Sequence, residues 1–141
     1  MELLDLCHHE PVCGSPQEPL SAIVQRMHEQ NVGAVVIVDD RRRVVGLITD
    51  RDVALALGRQ RANTATPAAE VMSTEVKTIW ADQGIFNATQ YLLGHQVRRL
   101  PVVNRQDELV GLISVDDLLG LLARELFNVA RALEPSLGQH I

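Results

Sequence analysis

The sequence has few aromatic residues, few cysteines and no long apolar run. Phe, Trp and Tyr make up 3% of its 141 residues, so the core must be aliphatic and single-stranded nucleic acid would find few rings for stacking. The formal net charge of −5 repels polyphosphate backbones. No stretch approaches the ~20 apolar residues that span a bilayer, and the N-terminus lacks a basic secretory start. We therefore expect a cytoplasmic protein that binds neither nucleic acid nor membranes.

The motifs that usually carry catalysis are also missing. There is no Gly-x-x-x-x-Gly-Lys loop to cradle phosphate, no His-Glu-x-x-His and no Gly-x-Ser-x-Gly. The carboxylate pairs Asp50/Asp52 and Asp116/Asp117 are neighbours at predicted helix starts, where they do not face one substrate bond. We expect no catalytic activity and no required cofactor.

Metal-ligating side chains cluster once, at Cys7, His8, His9 and Cys13. Zinc sites usually pair ligands two to four residues apart in two separate clusters, and this spacing does not match. Adjacent histidines also point in different directions, and Cys13 falls on a predicted buried strand. We favour ordinary packing of two reduced thiols over a metal site.

The chain repeats itself after 65 residues. Residues 45–49 fall on 110–114 without a gap, Asp52 falls on Asp117, and apolar positions coincide through most of the length. A repeat of this kind determines the architecture. Each half of ~60 residues is marginal alone, so we expect the halves to bury a shared face and to form two related clefts between them.

Each copy predicts the order strand, helix, strand, strand, helix. A short extended piece (11–13 or 76–79) precedes an amphipathic helix, and the second of these helices is predicted to close at Gly94. Aliphatic runs at 35–38 and 100–103 predict buried strands, and each is followed by a polar turn and a second run, as in a hairpin. We divide the chain into repeat 1 (1–61), a linker (62–71), repeat 2 (72–126) and a C-terminal helix extension and tail (127–141).

The last helix is predicted from about Val115 to Glu134, with Pro135 ending it. Its apolar face either caps the core or docks a second subunit, and the sequence does not choose between them. That face comprises Leu118, Leu122, Leu126, Ala130 and Leu133.

A hydroxyl and a carboxylate recur where each second helix begins. Thr49 and Asp52 in the first copy correspond to Ser114 and Asp117 in the second. Either pair can form a capping box, which alone explains the pattern. A helix N-terminus also favours an anion such as phosphate, while a hydroxyl can donate to phosphate and a carboxylate can accept from both hydroxyls of a ribose. The repetition of this set therefore also predicts a nucleoside site.

The doubled pattern resembles a tandem pair of cystathionine-β-synthase-type (CBS) domains, also called a Bateman module. The resemblance is carried by VGLITDRD at 45–52 in the first copy and by RRLPVV at 98–103 and VGLISVDD at 110–117 in the second, and it covers roughly residues 7 to 125. It implies an α+β fold of two β-α-β-β-α repeats that pack sheet to sheet with pseudo-twofold symmetry, followed by a C-terminal helical extension.

The resemblance also implies a regulatory function. Members of the family often bind AMP, ADP, ATP or S-adenosylmethionine between their repeats, commonly form disc-like homodimers and signal to a partner, which the sequence does not identify. The alternative is a structural dimerisation module whose clefts hold no ligand. The family's ribose-binding carboxylate falls on Asp52 and Asp117, and its hydroxyl on Thr49 and Ser114. The base would lie beside the first strand of a repeat, near Val12 and Cys13 or near Thr78 and Ile79.

The two clefts are not expected to be equal. Arg51 corresponds to Asp116, and Arg98 and Arg99 replace Gly33 and Ala34. A guanidinium can bind two phosphate oxygens at once. We therefore expect Arg51 to converge with Arg98 or Arg99 on one phosphate, although exposed charges with weak partners would explain the same residues.

Overall fold

The computed structural model describes residues 2–7 and 10–139, with side chains described as far as residue 134. The predicted order of elements is confirmed in both copies. Repeat 1 contains β1 (Cys13–Gly14), α1 (Leu20–Gln30), β2 (Ala34–Val38), β3 (Val44–Thr49) and α2 (Asp50–Gly58). Repeat 2 contains β4 (Ile79–Trp80), α3 (Ile85–His95), β5 (Arg99–Val103), β6 (Leu109–Ser114) and α4 (Val115–Gln139). The predicted α+β fold is thereby confirmed.

Each repeat forms its own three-stranded sheet. The strand orders are β1-β2-β3 and β4-β5-β6, with the first pair parallel and the hairpin antiparallel in both. The hairpin register slips at the same place in each, after Ile37 and after Val102. The hairpin turns likewise place Arg42 and Asp107, which are 65 residues apart, in the left-handed region at φ 63° and 62°. The two copies therefore share not only their strand order but also the register shift and the left-handed turn residue of the hairpin.

The first helix of each repeat ends on a left-handed residue. Asn31 (φ 53°) ends α1 and Gln96 (φ 54°) ends α3. The prediction that Gly94 closes α3 is wrong, because Gly94 lies inside the helix and the cap falls two residues later. Asn tolerates the left-handed region well, and Gln96 adopts it at a position where glycine would be less strained.

Two segments that precede the first strand of each repeat pack into the core of the opposite repeat. We call residues 2–7 and 67–72 the lead-in segments; Leu3 and Ala68 correspond under the 65-residue shift, and both are 0% exposed. Leu3, which precedes β1 in the chain, belongs to the core cluster of repeat 2, whereas Ala68, which precedes β4, belongs to that of repeat 1. Matching backbone bridges join Glu2 to Gly84 and Pro67 to Pro19. Each repeat thus completes its core with a segment that leads into the other.

The two hairpins also meet. A backbone bridge pairs Arg43 with Glu108, its own counterpart 65 residues away, which is the pairing a local twofold axis produces. Beside it, the Leu109 amide donates to the Arg42 carbonyl at 2.9 Å. Arg42 Nε in turn donates to the Leu109 carbonyl at 3.0 Å.

Helix α4 is longer than predicted. It continues through Pro135 to Gln139, so the predicted end at Glu134 is wrong. Proline removes one donor from the helix ladder and crowds the preceding turn, which weakens a helix without always ending it. Of the predicted apolar face only Leu118 is buried, while Leu122, Leu126 and Leu133 are exposed. Among the described residues, no helix combines the length and the apolar character that crossing a membrane requires.

An ion pair fixes the backbone of β1 against α1. Arg26 binds Glu18 through two parallel bonds of 2.7 and 3.0 Å, and Arg26 Nη1 also donates to the Cys13 carbonyl at 2.7 Å. About 30% of each charged side chain is exposed. The hydrogen bond from Arg26 lowers the pKa of Glu18 below its usual value. Ionised Glu18 thus stabilises the fold and orients Arg26 toward the strand.

We predict that Leu3→Ala lowers the free energy of unfolding by about 2–5 kcal/mol, because it leaves a cavity in the core of repeat 2. Urea unfolding followed by Trp80 fluorescence and by far-ultraviolet circular dichroism should give coincident transitions. Leu93→Ala is the control, since Leu93 is 75% exposed and its truncation should change stability by less than about 0.5 kcal/mol. Equal effects of the two variants would contradict the exchange of lead-in segments.

We predict that Glu18→Gln reduces stability by about 1 kcal/mol at pH 7 and has less effect at pH 3. A carboxyl group whose folded pKa is depressed stabilises above its unfolded pKa, about 4.3, and loses that contribution as pH falls through the folded value. Urea midpoints at both pH values measure this. Glu29→Gln is the control, since it makes the same charge change on α1, where Glu29 accepts from neutral Gln25, and it should reduce stability at pH 7 by less than Glu18→Gln.

Candidate functional site

A reciprocal capping box opens each second helix. The Asp52 amide donates to Thr49 Oγ1 at 3.2 Å, and the Thr49 amide donates to Asp52 Oδ2 at 2.9 Å. In repeat 2 the Asp117 amide donates to Ser114 Oγ at 3.1 Å, and the Ser114 amide donates to Asp117 Oδ2 at 2.9 Å. The predicted capping boxes are confirmed. A hydroxyl that accepts a bond keeps its own proton for another acceptor, so capping and ligand binding are compatible.

Ser114 and Asp117 line a cleft between the repeats, which we call the Ser114 cleft. Its volume is about 340 Å³, within the range of small-molecule sites. Repeat 2 contributes Arg98, Arg99 and the start of α4, while repeat 1 contributes the approach to β1 and the start of β2. The lining residues are Glu10, Pro11, Val12, Asn31, Val32, Gly33, Ala34, Arg98, Arg99, Leu112, Ser114, Val115, Asp116 and Asp117.

Thr49 lines a second cleft, of about 390 Å³, which we call the Thr49 cleft. Its lining residues are Leu47, Thr49, Asp50, Arg51, Ser73, Glu75, Val76, Lys77, Val97, Arg98 and Arg99. With the exception of Ser73, each of them corresponds under the 65-residue shift to a residue that lines the Ser114 cleft. The two clefts are therefore pseudo-twofold equivalents of each other.

Arg98 and Arg99 line both clefts. Strand register places Arg99 opposite Ser114 in the hairpin, and the Val115 amide donates to the Arg98 carbonyl at 2.9 Å. These backbone contacts hold both arginines beside the N-terminus of α4. Arg98 is largely exposed and lies 3.8 Å from Asp116, a weak pair in water. The Arg98 guanidinium is therefore available to an anion, and Arg99, which is half-buried, lines the same two clefts.

The clefts differ in charge. The Thr49 cleft has the cations Arg51, Lys77, Arg98 and Arg99 against two carboxylates, Asp50 and Glu75. The Ser114 cleft has the two shared arginines against three carboxylates, Glu10, Asp116 and Asp117. Phosphate is therefore favoured on the Thr49 side of the shared arginines, and groups that donate hydrogen bonds, such as ribose hydroxyls, on the Ser114 side.

The structure brings together most of the predicted residues but not all of them. Arg51, Arg98 and Arg99 line one cleft, whereas Asp52 lines neither cleft and borders a separate depression with Arg59 and Arg61. The residues before Cys13 line the Ser114 cleft, but Cys13 does not, and buried Ile79 lines neither cleft.

Cys13 is held in place beside the Ser114 cleft. Its thiol donates to the carbonyl of Pro11, one of the lining residues, at 3.1 Å. Burial raises the pKa of the Cys13 thiol, which keeps it protonated and able to donate at neutral pH. Cys13 therefore positions the chain that lines the cleft without facing it.

The sequence analysis did not identify two residues that line the clefts: Glu10 in the Ser114 cleft and Lys77 in the Thr49 cleft. The repeat could have indicated Lys77, because Lys77 corresponds to Val12, which is expected to lie near the base of the ligand. Within residues 2–7 and 10–139, no group of three His, Cys, Asp or Glu side chains could hold a metal ion. His8 and His9 lie outside the described residues, while Cys7 packs in the core of repeat 2, where burial raises its pKa.

Comparison with known proteins places this architecture in a family. Residues 3–59 and 68–124 match the family model described as CBS domain. The CBS domain-containing protein YhcV of Bacillus subtilis is 38% identical over 104 residues, which are 74% of this chain and 73% of YhcV. The chain spans 40% to 66% of the length of three further curated relatives.

Solved structures agree. The CBS domain pair of protein MJ0100, in complex with 5′-methylthioadenosine and S-adenosylmethionine, has a TM-score of 0.79; it covers 89% of this chain and 98% of its own, and its 21% identity shows the fold alone. CBS domain protein PAE2072 from Pyrobaculum aerophilum, complexed with AMP, has a TM-score of 0.75 and 25% identity, covering 84% and 90%. This chain therefore belongs to the CBS domain family and carries two such domains in tandem.

Proposed function

We propose that the protein is a regulatory module that binds an adenosyl ligand in the Ser114 cleft. The observation that carries this proposal is that Ser114, Asp117, Arg98 and Arg99 line one cleft between the repeats. Asp117 accepts from the ribose hydroxyls, and the Ser114 hydroxyl and the two arginines bind the charged end of the ligand. The base lies against Val12, on the wall contributed by repeat 1.

An adenine nucleotide fits this electrostatic arrangement better than an uncharged nucleoside. A phosphate beside Arg98 and Arg99 also lies near the remaining cations of the Thr49 cleft, which include Arg51 and Lys77. AMP in the related PAE2072 protein supports the same class of ligand. S-adenosylmethionine is the second candidate, because its sulfonium cation would be favoured by the carboxylates of the Ser114 cleft.

A ligand-free structural module is the competing proposal, and one observation favours it. Both hydroxyl–carboxylate pairs already satisfy helix N-termini, so each has a structural role without any ligand. Unfolding temperature separates the proposals, since a ligand at one hundred times its Kd adds about 2.7 kcal/mol of stability. No shift with AMP, ADP, ATP or S-adenosylmethionine would favour the structural module.

Regulation follows from the position of the cleft. A ligand that contacts both repeats stabilises the arrangement in which both are correctly placed, and a partner protein can sense that shift in population. We propose a non-catalytic role of this kind, performed by a homodimer. The identity of the regulated partner is not specified by the chain, and the cytoplasmic location stays a prediction.

We predict that Asp117→Ala weakens AMP binding about tenfold or more, because the ribose loses its acceptor. Titration calorimetry measures the Kd. Asp52→Ala is a matched control, since it removes the equivalent capping box, worth about 1 kcal/mol of stability, from a residue that lines neither cleft. Equal losses of affinity in the two variants would show that the capping box, and not the ribose contact, is responsible.

We predict that Arg99→Ala weakens AMP binding about tenfold, lowers its salt dependence and leaves adenosine binding unchanged. Arg51→Ala should act in the same direction if the phosphate reaches the Thr49 side. Arg41→Ala is the control, because it removes the same charge from an exposed hairpin turn. If Arg99→Ala weakens adenosine and AMP equally, the arginine does not bind phosphate.

A further inference from the structure

Helix α4 has an apolar stripe on its exposed side. We call it the α4 seam; it comprises Leu119, Leu122, Leu126, Val129 and Leu133. These residues are spaced three and four apart in strict alternation, the a and d positions of a heptad repeat. Their side chains are 55% to 71% exposed. The seam therefore differs from the buried residues Leu118 and Leu121, which anchor the start of the helix in the protein.

Most of the described part of α4 is exposed to solvent within the protomer. Every described side chain from residue 122 to 134 is exposed. An isolated helix of 13 residues, the length of this exposed segment, is only marginally stable in water. Helices in proteins owe most of their stability to the packing of an apolar face. The α4 seam covers two heptads, about four helical turns, and a seam of that length requires a second surface to cover it.

We propose that the α4 seam binds the α4 seam of a second copy of the chain, as a two-helix coiled coil. This inference supplies the interface for the homodimer under the proposed function and does not depend on the ligand. An a/d stripe is self-complementary, because its knobs fit the holes of an identical stripe. Ala123, Ala130 and Ala132 flank the seam and let two helices approach closely.

The size and charge of the surface favour a second copy. Five seam residues from each protomer, each exposing on the order of 100 Å², bring together about 1,000 Å², the lower size of a specific interface. The polar side of this segment has Arg124 and Arg131 against Glu125 and Glu134, so it has no net charge. An anionic membrane surface would instead favour a helix rich in Lys and Arg.

The test is the mass of the full chain by sedimentation velocity at about 50 µM, well above a micromolar Kd. Wild type should sediment as a dimer of about 31 kDa, twice the 15.6 kDa chain. The double variant Leu126→Glu, Val129→Glu should be monomeric, with Kd raised at least 100-fold, and should keep its helix content because both residues are exposed. The matched control, Phe127→Glu with Asn128→Glu, adds the same charge outside the seam and should stay dimeric.

Two results would overturn the proposal and are distinguishable. A dimer that survives the Leu126→Glu, Val129→Glu change uses another surface, which refutes the seam but keeps the homodimer. A wild-type monomer refutes both, and binding of that monomer to phosphatidylglycerol vesicles would then identify a membrane as the occupant of the seam. AMP binding by the monomeric variant, measured separately, shows whether the ligand site stands independently of the interface.

Discussion

The burial of Leu3 in the core of repeat 2, matched by Ala68 in the core of repeat 1, is the constraint on which the rest of the molecule depends. Each core is incomplete without a segment that is covalently attached ahead of the other repeat. Separating the repeats would therefore expose apolar surface on both sides at once, which favours cooperative unfolding. The hairpin contact between Arg42 and Leu109 adds hydrogen bonds to this arrangement, but such bonds contribute less than an aliphatic side chain that is fully buried.

The exchange of lead-in segments determines which residues line each cleft. Glu10 and Val12, which follow the first lead-in segment in the sequence, line the Ser114 cleft, and Glu75 and Lys77, which follow the second, line the Thr49 cleft. Each cleft thus combines the approach to one repeat with the helix start of the other. A ligand in the Ser114 cleft would contact both repeats where buried side chains already hold them near each other, so it needs only to select among closely related arrangements of the two repeats.

Local features of this structure could be predicted from the sequence, and features that depend on a choice between equivalent partners could not. The 65-residue repeat predicted both hairpins and both capping boxes, because turn, cap and strand signals act over a few residues. It did not predict the exchange, since an apolar side chain such as Leu3 does not specify which of two similar cores it enters. For the same reason Asp52 and Asp117 looked alike: their caps are identical, and only the surrounding chain places Asp117 at a cleft and Asp52 beside Arg59. Helix α4 passed Pro135 because a single missing donor does not decide where a long helix ends.

The proposed ligand contacts and the proposed dimer interface lie on one helix, which suggests how they would communicate. Ser114 and Asp117 form the N-terminal cap of α4, and Leu133 lies about 27 Å along the same helix at 1.5 Å per residue. A helix of this length is stiff, so a small change of direction at its capped end displaces its far end by several times as much. The capping box resists such a change in the absence of ligand, while phosphate and ribose would bind the same N-terminus and alter the balance of its contacts. For signalling, the ligand therefore needs only to change the preferred direction of α4. The exposed leucines at the far end of the helix would move with it, and the surface that binds them would sense the change.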